Sequence, residues 1–133
     1  MTQKSEWPDF FPKGIPPNRA MPTDGDAFRL VRSIPPSDSD FLSTFEESPG
    51  RQVKNDSIGM VFGTSFHRNL ECSRQTRRRY KPLRNRYIVV GTLRNEHGVC
   101  LATPTSCGPS HFTVWRRKES LIHSDFILDA EAK

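Results

Sequence analysis

The side chains most able to do chemistry stand in two adjoining stretches of this chain. The first is the small-residue segment Gly63-Thr64-Ser65, and the second is the basic run that follows it. Arginine and lysine spaced at i, i+3, i+4 and i+7 share one face of a helix, and such a face attracts phosphate or another polyanion. The residues of this candidate polyanion-binding set are Arg74, Arg77, Arg78, Lys81, Arg84 and Arg86.

Histidines form a second candidate constellation. Two imidazoles acting as acid and base, with arginine stabilising a pentacoordinate phosphate, would make a metal-independent ribonuclease. His97 and His111 are the candidates for this pair, with His67 as a third member. The competing interpretation is that they are ordinary structural or surface residues, and we expect this one. No helix-spaced pair of His, Asp or Glu ligands stands in the sequence, so we predict no metal site.

Aromatic residues interleave with the arginines. Tyr80, Tyr87 and Trp115 are candidates for stacking on nucleobases. The alternative is that Tyr87 and Trp115 belong to the core of a sheet. No helix-turn-helix, zinc-finger or RNP-like signature is present, so the sequence does not predict sequence-specific readout.

Charge is distributed unevenly over the 133 residues. Residues 1–66 hold 7 Lys and Arg against 9 Asp and Glu, a net charge of −2, whereas residues 67–133 hold 13 against 6, a net charge of +7. This asymmetry favours an anionic partner that meets one face. No long apolar run predicts a membrane partner, and we expect a cytoplasmic protein. The three cysteines form no Cys-x-x-Cys pair, and Cys107 is the one expected in an exposed loop.

The alternation of apolar and polar residues, together with turn-forming residues, predicts the strands and helices. We expect strands over 27–33, 58–62, 86–93, 99–103 and 111–116, a last strand or docking turn over 121–128, and helices over 38–47 and 70–79, the second capped by Asn69. The strand over 99–103 is expected to pair back on 86–93 as a hairpin. The predicted fold is α+β, with a curved, largely antiparallel sheet of five to six strands and two short helices.

The predicted organisation is a single domain over 27–128. A proline-rich arm over 1–26 is expected to pack on that domain, because proline at this density excludes helix and central strand. Residues 129–133 are expected to fray.

The order of these elements resembles the ADP-ribosyltransferase fold over residues 27–103. In Phe28-Arg29-Leu30, Arg29 matches the arginine with which that family binds the phosphates of its dinucleotide, and Ser65 in Gly63-Thr64-Ser65-Phe66 matches its Ser-Thr-Ser-like element. The resemblance implies NAD as a cofactor or substrate. The family's catalytic glutamate motif has no match, since Glu96 stands in a turn and Glu119 follows a strand.

Together these patterns predict a small module whose basic face binds a phosphate-bearing partner, either nucleic acid or a nucleotide. One alternative is a toxin-like effector enzyme, either ADP-ribosyltransferase-like or a metal-independent ribonuclease. Another is an interaction or inhibitor module that docks an acidic protein. The candidate catalytic residues of the enzyme alternatives are Arg29, Ser65, His97 and His111.

Overall fold

The computed structural model of the chain describes residues 6–50, 56, 58–106 and 108–130. Within these residues, seven antiparallel strands form one open sheet and two short α-helices pack beside it, which confirms the predicted α+β class. The sheet has more strands than the five or six expected, because short strands pair at both of its edges. The strands are β1 Met21–Pro22, β2 Gly25–Val31, β3 Thr64–His67, β4 Tyr87–Leu93, β5 Gly98–Ala102, β6 His111–Arg116 and β7 Phe126–Leu128.

The helices are short and several are of the 3₁₀ type. The α-helices are α1 Thr44–Glu47 and α2 Leu70–Arg79, and the 3₁₀ helices span Asp38–Phe41, Met60–Phe62, Lys81–Leu83, Asn95–His97 and Ile122–Asp125. The helix expected over 38–47 is therefore two pieces. Ser43 separates them because its hydroxyl caps α1, accepting from the amide of Glu46 at 3.2 Å.

Strand order in the sheet is β1-β5-β6-β3-β2-β4-β7. The longest ladder joins β2 to β4, from Gly25 opposite Leu93 to Val31 opposite Tyr87. Both faces of β4 are covered, since the neighbouring residues Ile88 and Val89 point to opposite faces and are each fully buried. This explains why β4 reads as a continuous apolar run.

The hairpin expected between 86–93 and 99–103 is wrong. β5 pairs with β6 and β1, and β4 pairs with β2 and β7. The chain turns away after β4 because His97 closes a 3₁₀ turn, its Nδ1 accepting from the amide of Arg94 at 2.9 Å. The side-chain amide of Asn95 also donates to the carbonyl of Thr23 at 2.8 Å, which directs this turn toward β1.

The strand expected over 58–62 is also wrong. Met60–Phe62 is a 3₁₀ helix, and the strand begins two residues later at Thr64. The carboxylate of Asp56 accepts from the amides of Met60 and Val61 at 2.6 and 3.1 Å, and Gly59 has a left-handed φ of 71°. These local hydrogen bonds favour a turn over an extended conformation.

One side of the sheet carries the main core. Phe41, Phe66, Phe112 and Phe126 stack there at centroid separations of 5.2 to 6.1 Å. Helix α2 packs against the opposite side and buries only Cys72 and Ser73. As predicted, Asn69 caps α2, its side-chain oxygen accepting from the amide of Cys72 at 2.9 Å. Three arginines in the last turn of α2 interact favourably with the helix dipole.

The proline-rich N-terminal segment lies along the domain. The ring of Phe10 stacks on Phe45 at 5.1 Å, and Glu6 forms an ion pair with Arg117. Further along, β1 adds the segment to an edge of the sheet beside β5, which is a position that proline tolerates. At the C-terminal end the amide of Asp129 donates to the carbonyl of Ile88 at 2.9 Å, and residues 131–133 of the expected frayed tail lie outside the described residues.

Candidate functional site: a cleft where two strands separate

A cleft opens in the sheet because β2 and β3 separate after a single paired position. Only Phe28 and His67 are register partners, although both strands continue. The gap is flanked by α1 and by α2 with its following turn, and it encloses about 300 Å³. The polar side chains that line it include Arg29, Arg32, Ser65, His67, Arg86 and His111.

Arg29 spans this gap between the strands. Its Nη1 donates to the carbonyl of Ser65 at 2.7 Å and its Nε donates to the carbonyl of Asp40 at 2.8 Å. The guanidinium also lies 5.7 Å from the ring centroids of Phe41 and Phe66. The side chain is half-buried, and desolvation by burial lowers the pKa of Arg29 to about 10. The group therefore stays charged at neutral pH in a poorly solvated position.

Arg29 forms no ion pair with the residues that the structure describes, and the carboxylates of Glu47 and Asp40 only partly offset the effect of burial on its pKa. Among the described residues, no carboxylate lies within 4.0 Å of its guanidinium. The nearby carboxylate of Asp40 instead accepts from the amide of Arg32 and the hydroxyl of Ser33, at 2.8 and 2.6 Å. A desolvated cation without a counterion is an energetically costly arrangement that an anionic ligand would relieve.

Two more arginines come to the cleft from other elements. Arg32 follows β2 and forms an ion pair with Glu47 of α1 at 3.1 Å. Arg86 precedes β4, and its carbonyl accepts from Nη1 of Arg77 at 3.2 Å, which ties the segment after α2 to the helix. Of the residues that the structure describes, three arginines and one acidic side chain, Glu47, thus line the cleft.

Two of the residues that line the cleft are histidines that stand side by side. His67 of β3 is the register partner of His111 of β6, and their rings meet edge to face at 5.4 Å. Burial lowers the pKa of both imidazoles, that of His67 to about 4 with a further contribution from His111 and Arg29. Both are therefore neutral at pH 7.

The hydrogen bonds of His111 set its tautomer. Nδ1 lies 2.8 Å from the carbonyl oxygen of Thr103 and 2.9 Å from its hydroxyl. Because a carbonyl only accepts, Nδ1 carries the proton and Nε2 carries a lone pair. In His67, by contrast, Nδ1 lies 2.8 Å from the hydroxyl of Ser73, and Nε2 lies 3.5 Å from that of Thr76. Both nitrogens of His67 thus face α2.

The two histidines named as the acid–base pair do not meet. His97 is buried in another part of the molecule, where its Nε2 lies 3.1 Å from the carboxylate of Asp125, which also pairs with Arg94 at 2.6 Å. Burial lowers the pKa of His97. His97 and Arg94 line a larger open depression of about 790 Å³, together with Arg117 and others. The pair that the fold does assemble is His67 with His111.

The candidate polyanion-binding set divides into three parts. Arg86 lines the cleft, while Arg74 and Arg77 are half-buried on α2, where Arg74 lies 3.7 Å from Glu71. The exposed members are Arg78, Lys81 and Arg84, and of these only Arg78 is on α2, since Lys81 begins a 3₁₀ helix.

The aromatic candidates divide as well. Trp115 is fully buried, and its indole nitrogen donates to the carbonyl of Gly59 at 2.9 Å. The prediction that Trp115 stacks on a nucleobase is therefore wrong. Tyr80 and Tyr87 are 47% and 45% exposed and flank the segment that carries Arg86. Cys107 lies outside the described residues.

Sequence reasoning missed several residues of the cleft. Arg32 and Glu47 line it as an ion pair, but they are 15 positions apart in a polar stretch with no recognisable motif. Thr44, the first residue of α1, also lines the cleft and was not singled out. The one available signal was the helix start at Ser43, which brings α1 close to the end of β2.

Among the described residues, no group of three or more His, Cys, Asp or Glu side chains is placed to hold a metal ion. In the same part of the chain, no helix is long and apolar enough to cross a membrane. Comparison of the chain with protein-family models, with curated proteins and with solved structures found no match.

Proposed function

We propose that this protein binds a phosphate-bearing partner, a nucleotide or a nucleic acid, and that a phosphate group enters the cleft between β2 and β3. The observation that carries the proposal is the guanidinium of Arg29, which is desolvated and has no carboxylate within 4.0 Å among the described residues. A phosphate placed there would supply the missing negative charge and accept charge-assisted hydrogen bonds.

The donors that remain on Arg29 support this role. Its planar guanidinium has five N–H groups, and the carbonyls of Ser65 and Asp40 accept from two nitrogens. Those two bonds hold the guanidinium in one orientation before any ligand arrives. Such preorganisation lowers the entropic cost of binding.

Arg32 and Arg86 would complete the phosphate site. The ion pair of Arg32 with Glu47 is more than half exposed on the arginine side, so it is a weak contact that a phosphate would compete with. Arg86 comes from the residue before β4, beside the end of β2 that Arg32 follows, because Val31 is the register partner of Tyr87. A ligand held between them would bridge α1 and the region after α2.

Calorimetric titration with pyrophosphate tests the proposal. We expect measurable binding by the wild type, and affinity lower by about tenfold or more in Arg86→Ala, since a hydrogen bond to a charged group contributes about 1.5–3 kcal/mol. Arg29→Lys keeps the charge but loses the planar fork, and we expect it to bind more weakly as well. Arg19→Ala is the matched control, because Arg19 is exposed and outside the cleft.

Unchanged pyrophosphate affinity in both Arg86→Ala and Arg29→Lys would refute the proposal. Binding of an acidic protein in place of every phosphate probe would favour the interaction-module alternative.

A dinucleotide is the second candidate, and one observation favours it. Arg29 and Ser65, the two positions that resemble the ADP-ribosyltransferase family, line the same cleft and are joined by a 2.7 Å hydrogen bond. Glu47, the acidic residue of the cleft, lies at the end of α1 and not on a strand, so we propose NAD binding without transferase activity. Calorimetry with NAD tests this, and no heat at millimolar NAD would exclude it.

A further inference from the structure

We propose that the cleft cleaves RNA, with Nε2 of His111 as the base that takes the proton from the 2′ hydroxyl next to the bound phosphate. This inference rests on the proposed function, because it needs a phosphate held by Arg29. It adds a substrate class and a reaction to that binding site.

His111 has the geometry of a base that is oriented before the substrate arrives. Its Nδ1 is held by the carbonyl and the hydroxyl of Thr103, and that hydroxyl is held in turn by Thr113 at 2.9 Å. The ring is half-buried and lines the cleft, and its lone pair is on the nitrogen opposite Thr103. A third group that orients a catalytic base is the usual arrangement in acid–base sites.

Electrostatics in the cleft keep this base unprotonated. Burial lowers the pKa of His111, and the charge of Arg29 lowers it further, although the hydrogen bond to Thr103 raises it. An imidazole that is neutral at pH 7 is able to accept a proton from a hydroxyl. The same guanidinium of Arg29 would stabilise the extra negative charge that develops on the phosphorus oxygens.

The reaction balances without a further reactant. The 2′ hydroxyl loses its proton to Nε2 of His111, the 2′ oxygen bonds to phosphorus, and the bond between phosphorus and the 5′ oxygen breaks. The 5′ oxygen takes a proton from solvent, and His111 returns its proton to solvent. The products are a 2′,3′-cyclic phosphate and a 5′ hydroxyl.

The surface beside the cleft fits a single-stranded polyanion. The segment from the end of α2 to the start of β4, which contains Arg86, carries exposed cationic and aromatic side chains, which are Arg78, Tyr80, Lys81, Arg84 and Tyr87. Cations that follow a phosphate backbone and aromatic faces that accept bases are the common means of binding single strands. RNA is the nucleic acid that places a hydroxyl beside each phosphodiester.

The test incubates a short fluorescein-labelled RNA with the protein in excess chelator. We expect cleavage to a cyclic phosphate, no cleavage of the matching DNA, and a rate at least about 100-fold lower in His111→Ala. His111→Gln provides a second variant that keeps a donor for Thr103. His123→Gln is the control, since His123 lies outside the cleft. Circular dichroism verifies that each variant is folded.

The pH–rate profile adds a readout that a structural role would not move. A base of lowered pKa predicts a rate that is constant near neutral pH and falls in acid. Binding of the DNA by fluorescence anisotropy separates the two proposals. DNA binding with no RNA cleavage, or cleavage that persists in both His111 variants, would overturn the catalytic proposal and leave the binding proposal standing. No binding of DNA, RNA or pyrophosphate would overturn both.

Discussion

The depressed pKa of His67 predicts a specific loss of stability in acid. Its pKa falls from 6.5 to about 4, first because of burial and then because of His111 and Arg29. In the unfolded chain the imidazole titrates near its ordinary value, so between these two pKa values the unfolded state binds more protons than the folded state. Stability is then highest above about pH 6.5, falls as the pH drops, and levels off below about pH 4.

The magnitude follows from the two pKa values. Going from about pH 8 to about pH 5 removes about 2 kcal/mol of unfolding free energy through this one group, and full protonation removes about 3 kcal/mol. The conversion applies because His67 is only 6% exposed. The groups that face it are His111 across the ladder, Arg29 in the cleft and the hydroxyls of α2.

Urea unfolding, followed by tryptophan fluorescence, measures this effect at about pH 8 and about pH 5. His67→Gln keeps a polar group beside Ser73 but cannot titrate. We expect the variant to be less sensitive to acid than the wild type by about 2 kcal/mol. His97 and His111 titrate in both proteins, so their contributions largely cancel in the difference. Equal pH dependence in the two proteins would refute the assignment of a depressed pKa to His67.

Two further predictions concern the framework of the cleft. Gly91→Ala should destabilise the fold by about 1–3 kcal/mol, because a Cβ there would lie 2.3 Å from the carbonyl oxygen of Asp125. Gly50→Ala should leave the melting temperature nearly unchanged, because apart from its chain neighbours no described atom lies within 4 Å of a Cβ placed there. Asp40→Ala should cost about 3 kcal/mol or more in urea unfolding, because its buried carboxylate accepts from the amide of Arg32 and from two serines; a loss below about 1 kcal/mol would contradict this.

Local rules predicted the elements that depend on neighbours in sequence. Asn69 and the arginine run were enough to place α2, because an N-cap and favourable dipole charges act within a few residues. The apolar run of β4 was enough to predict an interior strand. Met60–Phe62 was wrongly predicted as a strand because a short apolar run does not distinguish a strand from a turn. The turn is stabilised by the carboxylate of Asp56, which accepts from the amides of Met60 and Val61.

The choice of strand partners escaped these rules. The alternation of β5 suits pairing with β4 before it or with β6 after it, and in the fold it pairs with β6 and with β1. For the same reason the histidine pair could not be chosen from the sequence. His97 and His111 stand closer together along the chain, yet the β3–β6 register brings His67 to His111.

By itself, the sequence determined that this is an α+β protein with basic charge concentrated in its second half and on the segment after α2. Only the tertiary structure decided where that charge can act. Arg29 meets Ser65 from 36 positions away because β2 and β3 separate after one paired position, and the guanidinium fills the gap. Periodicity acts over a few residues, whereas a cleft exists only once the packing of the whole sheet has set which strands meet and where they part.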